Sequence, residues 1–421
     1  MTPSSPFGIA NFRFYWAGRL AAMLAQSSML LIIGWQVYNI ARLEMGPAGA
    51  AAQLGFVGLI QFVPLFALTP VTGWIADRVD RRYIARATIG LQVLAATLLA
   101  LATATGTISL AFLFTVSGLL GVARAFSGPA MGALAPNLVP ASLLPKAIAL
   151  SSISWQGGLI AGPAIGGYLY GWQPEAAYWG AAALFLLSLL CLFGIGPVPR
   201  PQVDRSRHPL RQMIDGLGYV RTNRLVLGAI TLDLFAVFLA GANALLPIYA
   251  RDILEVGTEG LGKLAAAPAV GAVLTAAYFS FRPLKTQVGA KMLGAVVVFG
   301  LATLVFGLST NFPLSLAALF VAGAADMFSV FVRSSLIQLY TPDEMRGRVG
   351  AVSQLTISAS NELGDAQSGF LASLVGPVAA AVIGGAGAVA VALAYAGWFP
   401  ELRRARSFDP PQPNQPKEAV T

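Results

Sequence analysis

Twelve hydrophobic runs, each long enough to cross a bilayer as a helix, recur along almost the whole chain. They fall at residues 14–40, 51–76, 83–104, 107–126, 148–171, 176–196, 225–250, 260–281, 288–309, 313–338, 349–374 and 377–399. A helical span needs roughly 20 apolar residues, whereas strands of an outer-membrane barrel show ten-residue alternation, which is absent from this pattern. Of the 421 residues 56% are hydrophobic and 11% are charged, and the mean hydropathy is +0.71. A water-soluble globule of this length does not have such a composition. Several runs contain Gly or Pro, which membrane helices tolerate because neighbouring groups satisfy the freed backbone. The fold class expected is an all-α polytopic membrane protein.

The distribution of Lys and Arg sets the expected orientation. Arg42, Arg251 and Lys263 fall in loops on one side, Arg19, Arg124 and Arg333 fall within spans, and the rest of the 27 lie on the other side. The positive-inside rule makes that basic side cytoplasmic, with both termini there. The net charge of +9 then reflects topology and contact with the lipid bilayer, and no basic, aromatic-interleaved domain for nucleic acid is visible. The single cysteine, Cys191, excludes an internal disulfide, and the single histidine, His208, has no second His or Cys with which to ligate a metal. The N-terminus lacks the pattern of a removable signal peptide. No nucleophile–base pair or phosphate-binding glycine loop is present, so an enzyme is not expected and no cofactor is implied. A monomer is expected.

A polar stretch at 198–224, opening Pro-Val-Pro-Arg-Pro, divides the chain into six-span halves at 1–197 and 225–406. Residues 209–219 within it suit a surface amphipathic helix. The Pro-rich tail at 407–421 is expected to be disordered. The halves repeat. Shifting the first by 202 residues superposes Phe126-Ser127 on Phe328-Ser329, Leu134 on Leu336, Pro140 on Pro342, Ser151 on Ser353, Gly162 on Gly364 and Gly167 on Gly369. Parallel repeats of this kind place a substrate site near the midplane between the halves.

Between the second and third runs stands Gly73–Arg82 (GWIADRVDRR), two acids and three arginines in ten residues. The order Gly, one residue, aliphatic, Ala-Asp-Arg, two residues, Arg-Arg resembles the corresponding loop of major facilitator superfamily transporters. That resemblance implies twelve helices in two pseudo-symmetric six-helix bundles. It also implies that Gly73, Asp77, Arg78, Arg81 and Arg82 form a conformational latch, closed in the outward-open state and set beside the start of the eleventh span near Arg346 and Arg348. Asp80 departs from the family pattern, which often has Gly there. The fifth span carries Gly158, Gly162, Pro163, Gly166 and Gly167. Small residues four apart make a flat packing face, and an internal Pro weakens the helix locally. This order resembles the bend motif of exporters and antiporters in the superfamily, although Ala149 stands where the longer form has its first Gly.

Ionisable residues inside spans cost about 2.5–3.5 kcal/mol each on insertion scales, so each is a candidate functional residue. Arg19, Arg124, Asp233, Asp326 and Arg333 fall on spans 1, 4, 7 and 10, which the resemblance implies line a central cavity; Glu362 and Asp365 lie on span 11. Asp326 and Arg333, seven apart, share a helix face. The repeat places Arg124 at the position matching Asp326, so an Arg124–Asp326 contact across the cavity is expected. Gln354, Ser358, Asn361, Asp365 and Ser368 form a polar stripe on span 11, with Glu362 beside it. Such a stripe must face protein or water. It suits a proton or substrate site built on Glu362 and Asp365; the alternative is carboxylates that merely bond to backbone or an arginine. Arg19 is suited either to the cavity or to snorkelling toward headgroups.

Tyr340–Ala366 (YTPDEMRGRVGAVSQLTISASNELGDA) narrows the resemblance. Thr-Pro-Asp-Glu-Met, Gly-Arg-Val and Asn-x-x-Gly-Asp-Ala are similar to the enterobactin exporter branch of the superfamily, as are Ala17-Gly18-Arg19 and Glu401-Leu402-Arg403. This similarity implies proton-coupled export of a small amphipathic molecule, a siderophore or drug, from the cytoplasm across a bacterial inner membrane. The alternatives are a nutrient importer on the same fold and a transport-inactive membrane receptor or scaffold.

Overall fold

The computed structural model describes residues 5–76, 78–197, 209–282, 284 and 286–408. Among them every regular element is helical. Nine stretches are apolar and long enough to cross a membrane by composition alone, and the first of them, Ala10–Thr69, contains the first run and most of the second. Each of the twelve runs is mostly helical, and the seventh is broken partway along.

Helix α1 (Ala10–Ala76) holds spans one and two as two arms. They are divided at Gly46, whose φ of 73° and ψ of −178° reverse the chain. Only a residue without Cβ adopts that backbone cheaply. The rest of the first half is α2 (Arg81–Ala104), α3 (Leu110–Leu134), α4 (Leu144–Trp172) and α5 (Pro174–Gly194). Amphipathic α6 (Pro209–Thr222) follows, and then α7 (Arg224–Leu239). Span seven is interrupted after α7. A 3₁₀ turn at Asn243–Leu245 leads into α8 (Leu246–Ile248) and a π-turn at Tyr249–Ile253. The remaining spans are α9 (Gly257–Phe281), α10 (Val288–Leu308), α11 (Phe312–Leu339), α12 (Asp343–Val375) and α13 (Pro377–Trp398), before the short α14 (Pro400–Arg403).

The repeat is visible in the packing. Gly162 of α4 lies against Ser27 and Leu24 of α1, in the same half, and its repeat mate Gly364 of α12 lies against Val237 and Phe238 of α7. One to two turns on, the pattern crosses between halves. Gly167 packs on Thr258 and Gly262 of α9, while Gly369 packs on Gly55 and Ala51 in the second arm of α1. Neither crossing leaves room for a Cβ, because backbone meets backbone. Helices α4 and α12 are absent from the nine strongly apolar stretches, since each spends its faces on Gly, Ser and polar contacts buried between neighbours.

Candidate functional site

The inter-half contact between α1 and α12 positions the central charges. Gly55, Gly58 and Gln61 are three apart, so they share one face of the second arm of α1. A Cβ on Gly58 would stand 3.0 Å from both Glu362 O and Ala366 N. With the backbones that close, Gln61 sits one turn further along, 3% exposed. Its Oε1 accepts a hydrogen bond from Arg124 Nη1 of α3 at 2.8 Å. Arg124 Nη2 pairs with Glu362 Oε1 of α12, also at 2.8 Å. One guanidinium therefore ties together α3, α1 and, across the halves, α12.

This differs from the expected Arg124–Asp326 contact. Asp326 makes no hydrogen bond or ion pair among the described residues, and Arg124 takes Glu362 as its carboxylate. The sequence match placed the two residues at equivalent depth, but the close glycine approach brings α12 rather than α11 to Arg124.

Asp365 is one turn from Glu362, within electrostatic reach of both Glu362 and Arg124. Its Oδ1 accepts from Ala244 N at 3.3 Å. That N–H is available because span seven breaks at Ala240–Asn243, where Gly241 passes against the backbone of Gly364. Discontinuous helices turn freed backbone groups toward sites in membrane transporters. The break was not foreseen; Gly241 followed by Pro247 was its only signal.

Other candidates go elsewhere. Asp233 and Arg333, 7% and 2% exposed, form an ion pair between α7 and α11 inside the second half. Arg333 thus turns to Asp233 rather than sharing open space with Asp326. Arg19 donates to Tyr15 Oη at 2.7 Å and lies over the Trp155 ring at 5.4 Å. On α12, Gln354 and Asn361 are exposed, and Asn361 Nδ2 donates back to Ile357 O. Of the glycine-rich motif, Gly158, Gly162 and Gly166 pack on α1 and Gly167 on α9, all buried with Pro163 in an uninterrupted α4.

In the charged loop, Asp77 lies outside the described residues, as does His208, and Gly73 stands in the last turns of α1. Asp80 has a definite role: it is the N-cap of α2, accepting from Arg82 N, and it pairs with the Arg82 guanidinium at 2.8 Å. Arg82 also donates to Ile195 O, while Arg78 sits in the turn and Arg81 opens α2. At the start of α12, Arg348 pairs with Asp215 of α6 and Arg346 with Asp343. The Asp80–Arg82, Arg82–Ile195 and Arg346–Asp343 contacts each stay within one half, and Arg348–Asp215 ties the second half to the linker helix α6.

The opposite end of the bundle is closed by a cluster in which the sequence singles out only Arg42 and Arg251, as loop residues. Tyr38 Oη donates to Asp252 Oδ2 at 2.5 Å, and Arg42 Nε pairs with the same oxygen at 3.2 Å. Arg251 donates to Asn39 Oδ1. The first arm of α1 is thereby fastened to the π-turn of the second half, at the same end as the Gly167 and Gly369 crossings.

A family model described as Major Facilitator Superfamily matches residues 16–364. The enterobactin exporter EntS of Citrobacter koseri is 28% identical over 93% of this chain and 90% of its own length. The protein of that name from Escherichia coli O1:K1 is also 28% identical, over 92% of this chain and 89% of its own. Among solved structures, the fold is similar to a D-xylose–proton symporter (TM-score 0.71, 15% identity, 92% of this chain and 98% of that one). It is also similar to a bacterial homologue of the human lysosomal transporter Spinster (TM-score 0.68, 16% identity, 94% and 96%).

Proposed function

The chain belongs to the major facilitator superfamily of transporters, and from that premise we propose that it is a proton-coupled exporter of a small amphipathic molecule. The cargo class is a siderophore or drug-like compound, moved by alternating access across a bacterial inner membrane. The observation that carries this reading is the Arg124–Glu362 ion pair, which bridges the two halves inside the membrane with Asp365 one turn away.

The reading works as follows. With the basic loops in the cytoplasm, the end fastened by Asp252 faces outward, so the shut end of the bundle is the outer one. An antiporter in that state has released its proton and awaits cargo. An ionised Glu362 holding Arg124 fits this stage. A proton from outside, taken up in the alternate state, neutralises Glu362 and frees Arg124, so the tie between α3 and α12 is lost and the halves separate differently. Asp365, held by a single backbone N–H, is the second carboxylate available to share the proton. Asp326, which has no hydrogen-bond or ion-pair partner among the described residues, is a further candidate carboxylate from the repeat-equivalent position on α11. The Gly158–Gly167 stripe of α4 supports the export direction, and the similarity to enterobactin exporters supports the cargo class. The proton gradient is the driving force, and no cofactor is assigned. Folded protein is expected as a monomer with no nucleic-acid partner.

Proteoliposomes with an imposed pH gradient test the proposal. Uphill flux of at least one member of a siderophore and drug panel, coupled to proton movement, is expected. Folded protein that moves every compound only downhill, indifferent to the gradient, would remove proton coupling.

A further inference from the structure

Inside the first half, behind Arg124, lies a pocket lined by Gln26, Gln61, Gln92, Arg124, Met29 and Phe185. It reaches α2 and α5, away from the face that meets the second half. Gln92 is 1% exposed, and neither its Nε2 nor its Oε1 has a hydrogen-bond partner. A buried carboxamide offers two donors and two acceptor sites, and native proteins rarely leave both ends of one unmet. Gln26 forms no hydrogen bond among the described residues. Gln61 spends its oxygen on Arg124 and keeps its two N–H donors.

These groups specify the occupant. A buried water needs two to four polar partners in a small polar space, and Gln26, Gln61, Gln92 and Arg124 supply them. An ion is disfavoured, because the Arg124 charge is already met by Glu362 and no other charged side chain lines the pocket. We infer that this pocket is a structured water site whose role is to solvate Arg124 when Glu362 lets go.

The need for such a site follows from the ion pair. A guanidinium deprived of its carboxylate inside a membrane protein is costly. Asp365 stands near, but its bonded oxygen is held by Ala244 N, and Gln61 can satisfy only part of the guanidinium. Water on the Gln92 side gives Arg124 an alternative set of acceptors, so the pair can open without stranding the charge. The inference deepens the coupling reading and rests on it only for the moment at which Glu362 releases; the water site itself stands on Gln92.

Radiolytic hydroxyl labelling of the full-length protein in nanodiscs tests the site, because radicals form where water is bound. Met29 lines the pocket at 1% exposure and Met292 is 0% exposed in the apolar core of the second half. Met29 should be oxidised at least fivefold faster than Met292, and Gln92→Leu should bring it down to the Met292 rate. Equal rates in the wild type, or no effect of Gln92→Leu, would overturn the water site. A stability cycle tests its role: Glu362→Gln should shift the unfolding equilibrium at least tenfold further in the Gln92→Leu background than in the wild type. Additive effects would overturn the role. If Glu362→Gln does not fold, Arg124→Gln in the same cycle should remove the sensitivity to Gln92, and persistence of that sensitivity would count against it. No gradient enters these measurements, so labelled Met29 in a protein without proton-coupled flux would leave the pocket standing and the transport reading fallen.

Discussion

Arg124 and Glu362 meet at 2.8 Å although they belong to helices of opposite halves. The guanidinium and carboxylate are mostly shielded, with 24% and 10% of their side chains exposed. Breaking a buried pair by removing one partner costs about 3–5 kcal/mol, because the remaining charge is left uncompensated. Glu362→Gln should therefore lower thermal stability and reduce gradient-driven flux at least tenfold. Arg124→Gln combined with Glu362→Gln should recover most of the stability and none of the coupled flux. Differential scanning fluorimetry beside a proteoliposome assay separates the two. Full uphill transport by either single variant would remove the pair from the coupling scheme.

Asp365 sets a second test, since its only described bond is to the N–H freed by the break in span seven. Asp365→Asn can still accept that bond but cannot carry a proton. Gradient-driven movement should be lost while cargo exchange between the two sides persists. Wild-type uphill flux in this variant would leave Glu362 as the sole coupling carboxylate on α12.

The Asp233–Arg333 pair should behave differently. It joins α7 to α11 within one half, and both residues are nearly inaccessible. Asp233→Asn is expected to destabilise the fold by about 3–5 kcal/mol, seen as lower yield and a lower Tm. The flux per folded molecule should keep its dependence on the gradient. A variant of normal stability that has lost proton coupling would reassign this pair to the transport cycle.

What the sequence revealed and what it hid have separate physical causes. The spans were legible because lipid enforces apolar length, and the repeat because Gly162 and Gly364, and Gly167 and Gly369, answer the same packing demand in each half. Asp80 read as an anomaly until its place as the cap of α2 was seen. The partner of Arg124 was not legible, since it depends on which helix the Gly55–Gly58 face admits closely, and that is a tertiary choice. Gln92 carries no signal in one sequence, being a polar residue of ordinary kind in an apolar run. Tyr38 and Asp252 were hidden for another reason: they are 214 apart in sequence, and each alone reads as a span-end residue.

The Tyr38–Asp252 bond holds the charged end of the bundle shut. A hydrogen bond to a charged group contributes about 1.5–3 kcal/mol, and each 1.4 kcal/mol is a factor of ten in a population. Tyr38→Phe should raise the open fraction of that end roughly tenfold or more. A reporter is available in Ala51→Cys, with Cys191 replaced by Ala, because Ala51 is 2% exposed beside Gly369. Its maleimide labelling should accelerate by the same factor in the Tyr38→Phe background. An unchanged labelling rate would mean that the glycine crossings alone keep the end closed.

Those crossings give the sharpest contrast. A Cβ on Gly369 would collide with the Gly55 backbone, and one on Gly167 with Thr258 O of α9. Both contacts join opposite halves, so they exist only while this end is shut. Overpacking costs about 1–3 kcal/mol. In Gly369→Ala and Gly167→Ala that cost falls on the closed state alone, and Ala51→Cys should label roughly five- to a hundredfold faster. Gly162→Ala is the control, since its Cβ meets Ser27 and Leu24 within one half, a contact that rigid-body rocking preserves. It should lower the Tm and leave the labelling rate unmoved. Faster labelling in Gly162→Ala would mean that α4 deforms within its half during opening, as a bend at Pro163 requires, and that the halves do not move as rigid bodies.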